Sequence, residues 1–237
     1  GNRTTLEQVF VIDNGDLDTL TAGGSQVGDE QLDERIASQE RSSLATIIYT
    51  SGTTGRPKGC ELTHDNFLGL AENATAKLGD VVQREDASTL LFLPLAHVFA
   101  RFIEVLAISA EARMGHSADI ANILDDFQSF KPTFILAVPR VFEKVRDGIA
   151  TKAAAKGAVQ GRIFERAEAV AIEDSRLRGN DGLDDARRPS LLHTARYKAL
   201  DLLVYKAIRE ALGGRCEYAI SGGGALPDRI SHFFRGA

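Results

Sequence analysis

The sequence predicts an α/β fold, a mostly parallel sheet flanked by helices, on three observations. First, "TLLFLPL" (residues 89–95) and "TFILAVP" (residues 133–139) are short, continuous apolar runs, the pattern of strands buried on both faces. Second, amphipathic helical patterns lie between such runs, which is the alternation that yields parallel pairing with helices packed on the sheet. Third, each run ends at Gly or Pro, as strands do where they pass into ligand-binding loops.

In chain order, "VFVI" (residues 9–12) reads as a short buried strand, and residues 13–41 as acidic surface loop with a weak helix. "LATIIYT" is a β-branched strand ended by Ser51 and Gly52. Thr63 caps a helix over residues 65–78, with Phe67, Leu70, Ala71, Ala74 and Leu78 on one face. After "TLLFLPL" a helix spans residues 97–110, "ARMGHS" forms a short strand, and Asp119 caps a helix that ends near Phe130. Residues 140–178, rich in Ala, Lys, Arg and Glu, read as helix with a thin apolar face lying on the surface. Residues 179–190 read as a flexible loop within one domain. Residues 197–212 form an amphipathic helix stopped by Gly213, with Leu200, Leu203, Val204, Ala207, Ile208, Ala211 and Leu212 as its stripe. "CEYAIS" is the last strand and residues 226–234 the last helix.

The totals exclude several classes. The chain has 237 residues, 43% hydrophobic and 26% charged, an ordinary globular composition. A net charge of -5 offers no global field for nucleic acid. Two cysteines outside any CxxC argue against a metal or disulfide framework and fit a cytoplasmic setting. No apolar run reaches the length of a membrane span, so membrane contact would be peripheral, through the charged helical stretch over residues 140–178. Both ends read as internal to a longer protein.

The densest chemistry lies in "IIYTSGTTGRPKGCELTH" (residues 47–64). Thr50, Ser51, Thr53 and Thr54 supply hydroxyl donors, Gly52 and Gly55 let backbone N–H groups approach a ligand, and Lys58 adds a point charge. Such a set suits polyphosphate oxygens. It is not a Walker A loop: counted from Gly52, Pro57 stands where the second glycine belongs, and Gly59 follows Lys58. A second glycine run, Gly222, Gly223 and Gly224 followed by Ala225, sits at the end of the last strand, where a flat ligand can approach backbone or the chain can simply turn. His97 stands at the start of a helix, either as an ordinary helix-start histidine or as a site residue. His64, His116, His193 and His232 show no ligand spacing and read as surface or turn residues, and Arg140 as a helix-start charge or a substrate-side group.

These stretches together resemble the adenylate-forming (AMP-binding) enzyme superfamily. "YTSGTTGRPKGCELTH" is similar to its phosphate-binding signature, and "LPLAHVFAR", "KPTFILAVPRVFEKV" and "YAISGGGALPDRISHFF" follow in the family's order. The likeness runs over essentially the whole chain and is greatest to bacterial long-chain fatty acyl-CoA synthetases. It implies that the chain is part of the large N-terminal domain of that fold, without the small C-terminal domain. It implies a ligase that uses ATP and Mg²⁺ to convert a fatty acid to acyl-adenylate and then to the CoA thioester.

By the same resemblance, residues 50–58 hold phosphates, Gly223, Gly224 and Ala225 border adenine, Gly222 borders the acyl chain, and His97 faces the reacting carboxylate. No metal ligand is assigned. The family's later Glu, ribose-binding Asp and catalytic Lys are expected beyond Ala237, so the chain alone is expected to be inactive and to self-associate. Other acyl-adenylate ligases, peptide-synthetase adenylation domains and a non-catalytic nucleotide-binding module are the alternative readings.

Overall fold

The computed structural model describes residues 7–50, 55–179 and 188–237. Helices α1 (Asp16–Gly24) and α2 (Asp29–Ala37) lead into strand β1 (Leu44–Thr50), which pairs antiparallel with β2 (Lys58–Thr63). Helix α3 (His64–Val82) follows at once. The Asn66 side-chain oxygen accepts from the Thr63 N–H at 2.9 Å and from its hydroxyl at 3.1 Å, which fixes the entry into the helix. A non-helical residue at Leu78 kinks the helix, which runs on to Val82, one turn past its expected end.

The chain continues through β3 (Ser88–Leu91), α4 (Val98–Ser109), β4 (Arg113–His116), α5 (Ile123–Phe130) and β5 (Phe134–Ala137). After α6 (Pro139–Ala155) and α7 (Ala158–Arg178) come α8 (Leu191–Leu200), a π turn (Asp201–Tyr205), α9 (Lys206–Ala211), β6 (Tyr218–Ser221) and α10 (Asp228–Gly236). β3 pairs with β4 and β5 with β6, both parallel. Buried polar groups join the two pairs at their amino ends. The Thr133 N–H donates to the Ser88 carbonyl at 2.9 Å, and the Ser88 N–H donates to Thr133 Oγ1 at 2.9 Å. The two parallel pairs therefore lie side by side in the order β4–β3–β5–β6, the arrangement of a parallel α/β sheet.

Side chains alternate between two layers. Leu91, Phe134 and Leu136 face α3 and α4, where Ala71, Val82, Ala100, Ile103 and Leu106 are buried. Leu90, Ile135 and Ala137 face α5, α6 and α10, against Phe127, Phe142 and Ile230. Residues 88–91 and 134–137 are buried throughout, as their apolar runs require. β6 lies at one edge, its first two residues exposed.

Four expectations are corrected. Residues 9–12 form no strand and are exposed, because no strand among the described residues pairs with them. Residues 140–178 form two helices, turning at Gly157, whose φ of +134° suits glycine. Far from lying on the surface, α7 buries Phe164, Ala167, Ala171, Glu168, Asp174 and Ser175 against Tyr205 and Phe233. Alanines make this face close-packed without looking apolar, and its charged members are paired inside. Residues 197–212 are not one continuous helix. The π turn adds a residue to one turn and rotates the stripe, so Tyr205 and Ile208 are buried while Leu203 is 70% exposed. Lastly, His193 is buried, 3.3 Å from Asp174, and the His232 ring lies 3.0 Å from the Ser175 hydroxyl. Residues 180–187 of the expected loop lie outside the described residues. On its far side, Ser190 caps α8 by accepting from the His193 N–H at 3.2 Å.

Glu168 ties three helices together. Its side chain is 4% exposed and accepts from Arg146 of α6 and from Arg229 of α10, the latter at 3.0 and 2.9 Å. Burial pushes the carboxyl pKa up, but the hydrogen bonds and charges of the two guanidinium groups outweigh it and hold the pKa below 4.5. Glu168→Gln is expected to cost about 3 kcal/mol at neutral pH, because it strands a partly buried arginine. A carboxyl with a depressed folded pKa contributes stability above its unfolded value and loses it as pH falls through the folded one. The melting gap between wild type and variant should therefore close as pH drops below 4.5. Thr133→Val leaves the buried Ser88 N–H without its acceptor and should cost about 1–3 kcal/mol in denaturant unfolding.

Candidate functional site

The parallel strands end together at one edge of the sheet. β3 runs out through Phe92 to Ala96, and His97 then occupies the N-cap of α4. The His97 N–H donates to the Pro94 carbonyl at 3.0 Å, and its own carbonyl accepts from Ala100 at 3.1 Å. Its side chain is exposed and caps nothing. β5 ends at Ala137, and Pro139 opens α6, a position where its missing N–H costs nothing. Arg140 beside it is 92% exposed, with Glu143 at 4.0 Å. β6 ends at Ser221, and pairing continues one residue further, the Gly222 N–H donating to the Ala137 carbonyl at 3.1 Å.

The glycine run is fitted to its neighbours. A Cβ on Gly222 would stand 2.5 Å from the Phe99 ring, so the ring of α4 lies directly on this backbone. Gly223 has φ +76°, which a side chain rarely adopts, and Val138 lies 3.5 Å from its Cβ position. Pro139 lies 3.7 Å from that of Gly224. Three sequence motifs thus meet: Phe99 of "LPLAHVF", Val138 and Pro139 of "VPRVFEK", and Gly222–Gly224. The N–H groups of Gly223, Gly224 and Ala225 make no hydrogen bond among the described residues. Ser221 Oγ is buried without a partner. The edge therefore presents the free N–H groups of Gly223, Gly224 and Ala225 beside a wall of Phe99, Val138 and Pro139, a fit for a flat, hydrogen-bonding ligand.

Structure corrects the local setting of the hydroxyl-glycine segment. Lys58 does not sit in the loop but opens β2, opposite Thr50, whose hydroxyl lies 3.5 Å from the Lys58 carbonyl. Both residues are exposed. Gly55, exposed at φ +82°, turns the chain before β2. Ser51, Gly52, Thr53 and Thr54 lie outside the described residues. No hydrogen bond or ion pair among the described residues links this hairpin to the glycine run. Its anchor is α3: Arg41, just before β1, bonds Asp65 at 2.7 Å and Glu72 at 3.1 Å. The described residues contain no group of three or more His, Cys, Asp or Glu side chains that could hold a metal ion.

Sequence reasoning did not single out Phe99 as the residue that lines Gly222. The signal was present, since an aromatic two residues into α4 and a glycine at a neighbouring strand end can share one sheet edge. It needed the strand order to be read.

A parallel sheet with loops converging at its carboxyl edge defines an open α/β ligand-binding domain. The profile of the AMP-binding enzyme family matches residues 1–237, and the chain belongs to that family. It is 43% identical over 221 residues to the long-chain-fatty-acid–CoA ligase FadD15 of Mycobacterium tuberculosis, covering 93% of this chain and 35% of that protein. It is 34% identical to long chain acyl-CoA synthetase 2 of Arabidopsis thaliana, over 86% of this chain and 30% of that one. The chain thus spans about a third of the length of these curated relatives. Among solved structures, the adenylation domain of a carboxylate reductase from Mycobacterium chelonae matches 83% of this chain and 25% of its own, with a TM-score of 0.50 and 20% identity, which supports the fold.

Gly222→Ala should push the Phe99 ring aside and cost about 1–3 kcal/mol by overpacking. Adding Phe99→Leu should return most of that loss in a double-mutant cycle of thermal melts.

Proposed function

We propose that this chain is the nucleotide- and acyl-binding part of an enzyme that activates a long-chain fatty acid with ATP and passes the acyl group to CoA. The observation that carries the reading is the meeting of Gly222–Gly224 with Phe99 and Pro139, which brings the adenine, acyl and carboxylate motifs of the family to one edge. The 43% identity to a long-chain-fatty-acid–CoA ligase supports the substrate class.

In this reading the free N–H groups of Gly223, Gly224 and Ala225 border the adenine ring, and the flat backbone at Gly222 with Phe99 borders the acyl chain. His97, at the mouth of α4, stands beside the carboxylate. Thr50, Ser51, Gly52, Thr53, Thr54, Gly55 and Lys58 surround the β- and γ-phosphates. A carboxylate oxygen attacks the α-phosphorus, the bond to the β-phosphate oxygen breaks, and pyrophosphate leaves. The CoA sulfur then attacks the acyl carbon, and the carbonyl–phosphate bond breaks with release of AMP, the thiol proton passing to solvent. The chain's part is positioning and charge neutralisation, which dominate phosphoryl and adenylyl transfer. Mg²⁺, which supplies Lewis-acid chemistry to nucleotide phosphates, finds no cluster of protein ligands among the described residues, and no step is assigned to it.

The test is fatty-acid-dependent ATP–pyrophosphate exchange and CoA thioester formation by the whole protein that carries this chain. A folded protein that exchanges pyrophosphate with no long-chain acid would overturn the reading. Lys58→Ala is expected to slow exchange by about 10²-fold, as loss of one transition-state donor does. Its exposure predicts a melting temperature close to wild type.

A further inference from the structure

A cavity lies at the opposite edge of the sheet. It has a volume of about 920 Å³ and opens between α5, α6, α7 and α9. Lys131 of its wall stands just before β5 and Arg215 just before β6, so it sits at the amino ends of the strands whose carboxyl ends carry the glycine run. The helices of the other sheet face, α3 and α4, contribute nothing to it, and Phe99 and Gly222 do not line it. It is a separate site.

Its lining is sharply divided. The floor is apolar, with Ile149, Phe164, Val204, Ala207 and Ile208 among its members. The volume and the apolar lining are those of a pocket that holds a small molecule. Lys131, Lys152 and Lys156 stand on the rim, exposed, and no carboxylate pairs with any of them among the described residues. Arg215 is held by Asp86 at 2.9 Å. The one acid on the rim, Glu210, faces Lys206 at 3.9 Å. Three unpaired ammonium groups over an apolar trough match one ligand form: an anionic head on an apolar tail. The stems of the lysines can lie along the trough while their heads meet the anion. Val204 and Ala207 line the trough, and Leu203, 70% exposed, stands at its mouth.

We infer that this groove binds a free single-chain anionic amphiphile, such as a long-chain carboxylate, with its tail between α6 and α9 and its head at Lys131, Lys152 and Lys156. The site is separate from the edge assigned to turnover, and its occupancy does not depend on catalysis.

The test uses the whole protein with a diazirine-bearing palmitate, irradiated and mapped by mass spectrometry of peptides. Crosslinks are expected in the peptides containing residues 149–164 and 203–211. Ala207→Trp, which fills the trough from an exposed wall position, should abolish these crosslinks while those at the glycine edge persist. The triple variant Lys131→Ala, Lys152→Ala, Lys156→Ala should weaken labelling about tenfold, as loss of several exposed ion pairs does. A diazirine hexadecanol, uncharged, should label the groove as weakly as the triple variant. Palmitate crosslinks confined to other peptides, or groove labelling that is equal for the alcohol, would overturn the inference. So would labelling seen only when the probe is carried in phosphatidylglycerol vesicles, which would assign the groove to a membrane lipid. Thermal melts of both variants separate loss of binding from loss of fold, and fatty-acid-dependent pyrophosphate exchange should be unchanged in both.

Discussion

The fold turns on the joint between Ser88 and Thr133. Hydrogen bonding otherwise divides the parallel strands into two pairs, β3 with β4 and β5 with β6. Thr133 bridges them: its N–H and hydroxyl bond Ser88, and its carbonyl accepts from the Glu217 N–H at 2.9 Å. Both residues are almost fully buried, so each of these polar groups must find its partner inside the protein. The joint sets the relative height of the strands at their amino ends. With strands of equal length, it also sets the height of the carboxyl ends, and Gly222 meets Phe99 at that level.

Helices on one face follow from a second constraint. Glu168 cannot be buried alone, so Arg146 and Arg229 must reach it. Arg229 lies in the first turn of α10, directly after the glycine run and "ALP". Its tether to α7 therefore fixes where the chain leaves the site edge. The α6–α7 pair, which looks like solvated helix by composition, is the support against which the last segment is held.

The two edges of the sheet have opposite character. The carboxyl edge offers free backbone donors beside the Phe99 ring seated on Gly222. The amino edge offers an apolar trough under unpaired lysines. The difference has a topological origin. Carboxyl ends pass into helix N-termini, with their exposed N–H groups, whereas amino ends follow helix C-termini, where cationic side chains gather. Lys131 at the C-cap of α5 is one such residue. No helix among the described residues is long and apolar enough to cross a membrane.

Composition and periodicity by themselves determined the α/β class, the continuous burial of β3 and β5, the cap at Thr63, and the motifs that carry the site. Those features are local: an apolar run, a hydroxyl before a helix and a glycine at a strand end each have their physical cause within a few residues. The pairing of "VFVI" with nothing, the burial of α7, and the pairing of His193 with Asp174 were decided only in the tertiary structure. So were the β1–β2 hairpin that places Lys58 on a strand and the seating of Phe99 on Gly222. A strand exists only where another strand satisfies its backbone, and a charged residue is buried only where a distant partner meets it. Both conditions depend on residues far away in the chain, as the span from Phe99 to Gly222 does, and no window of sequence contains them.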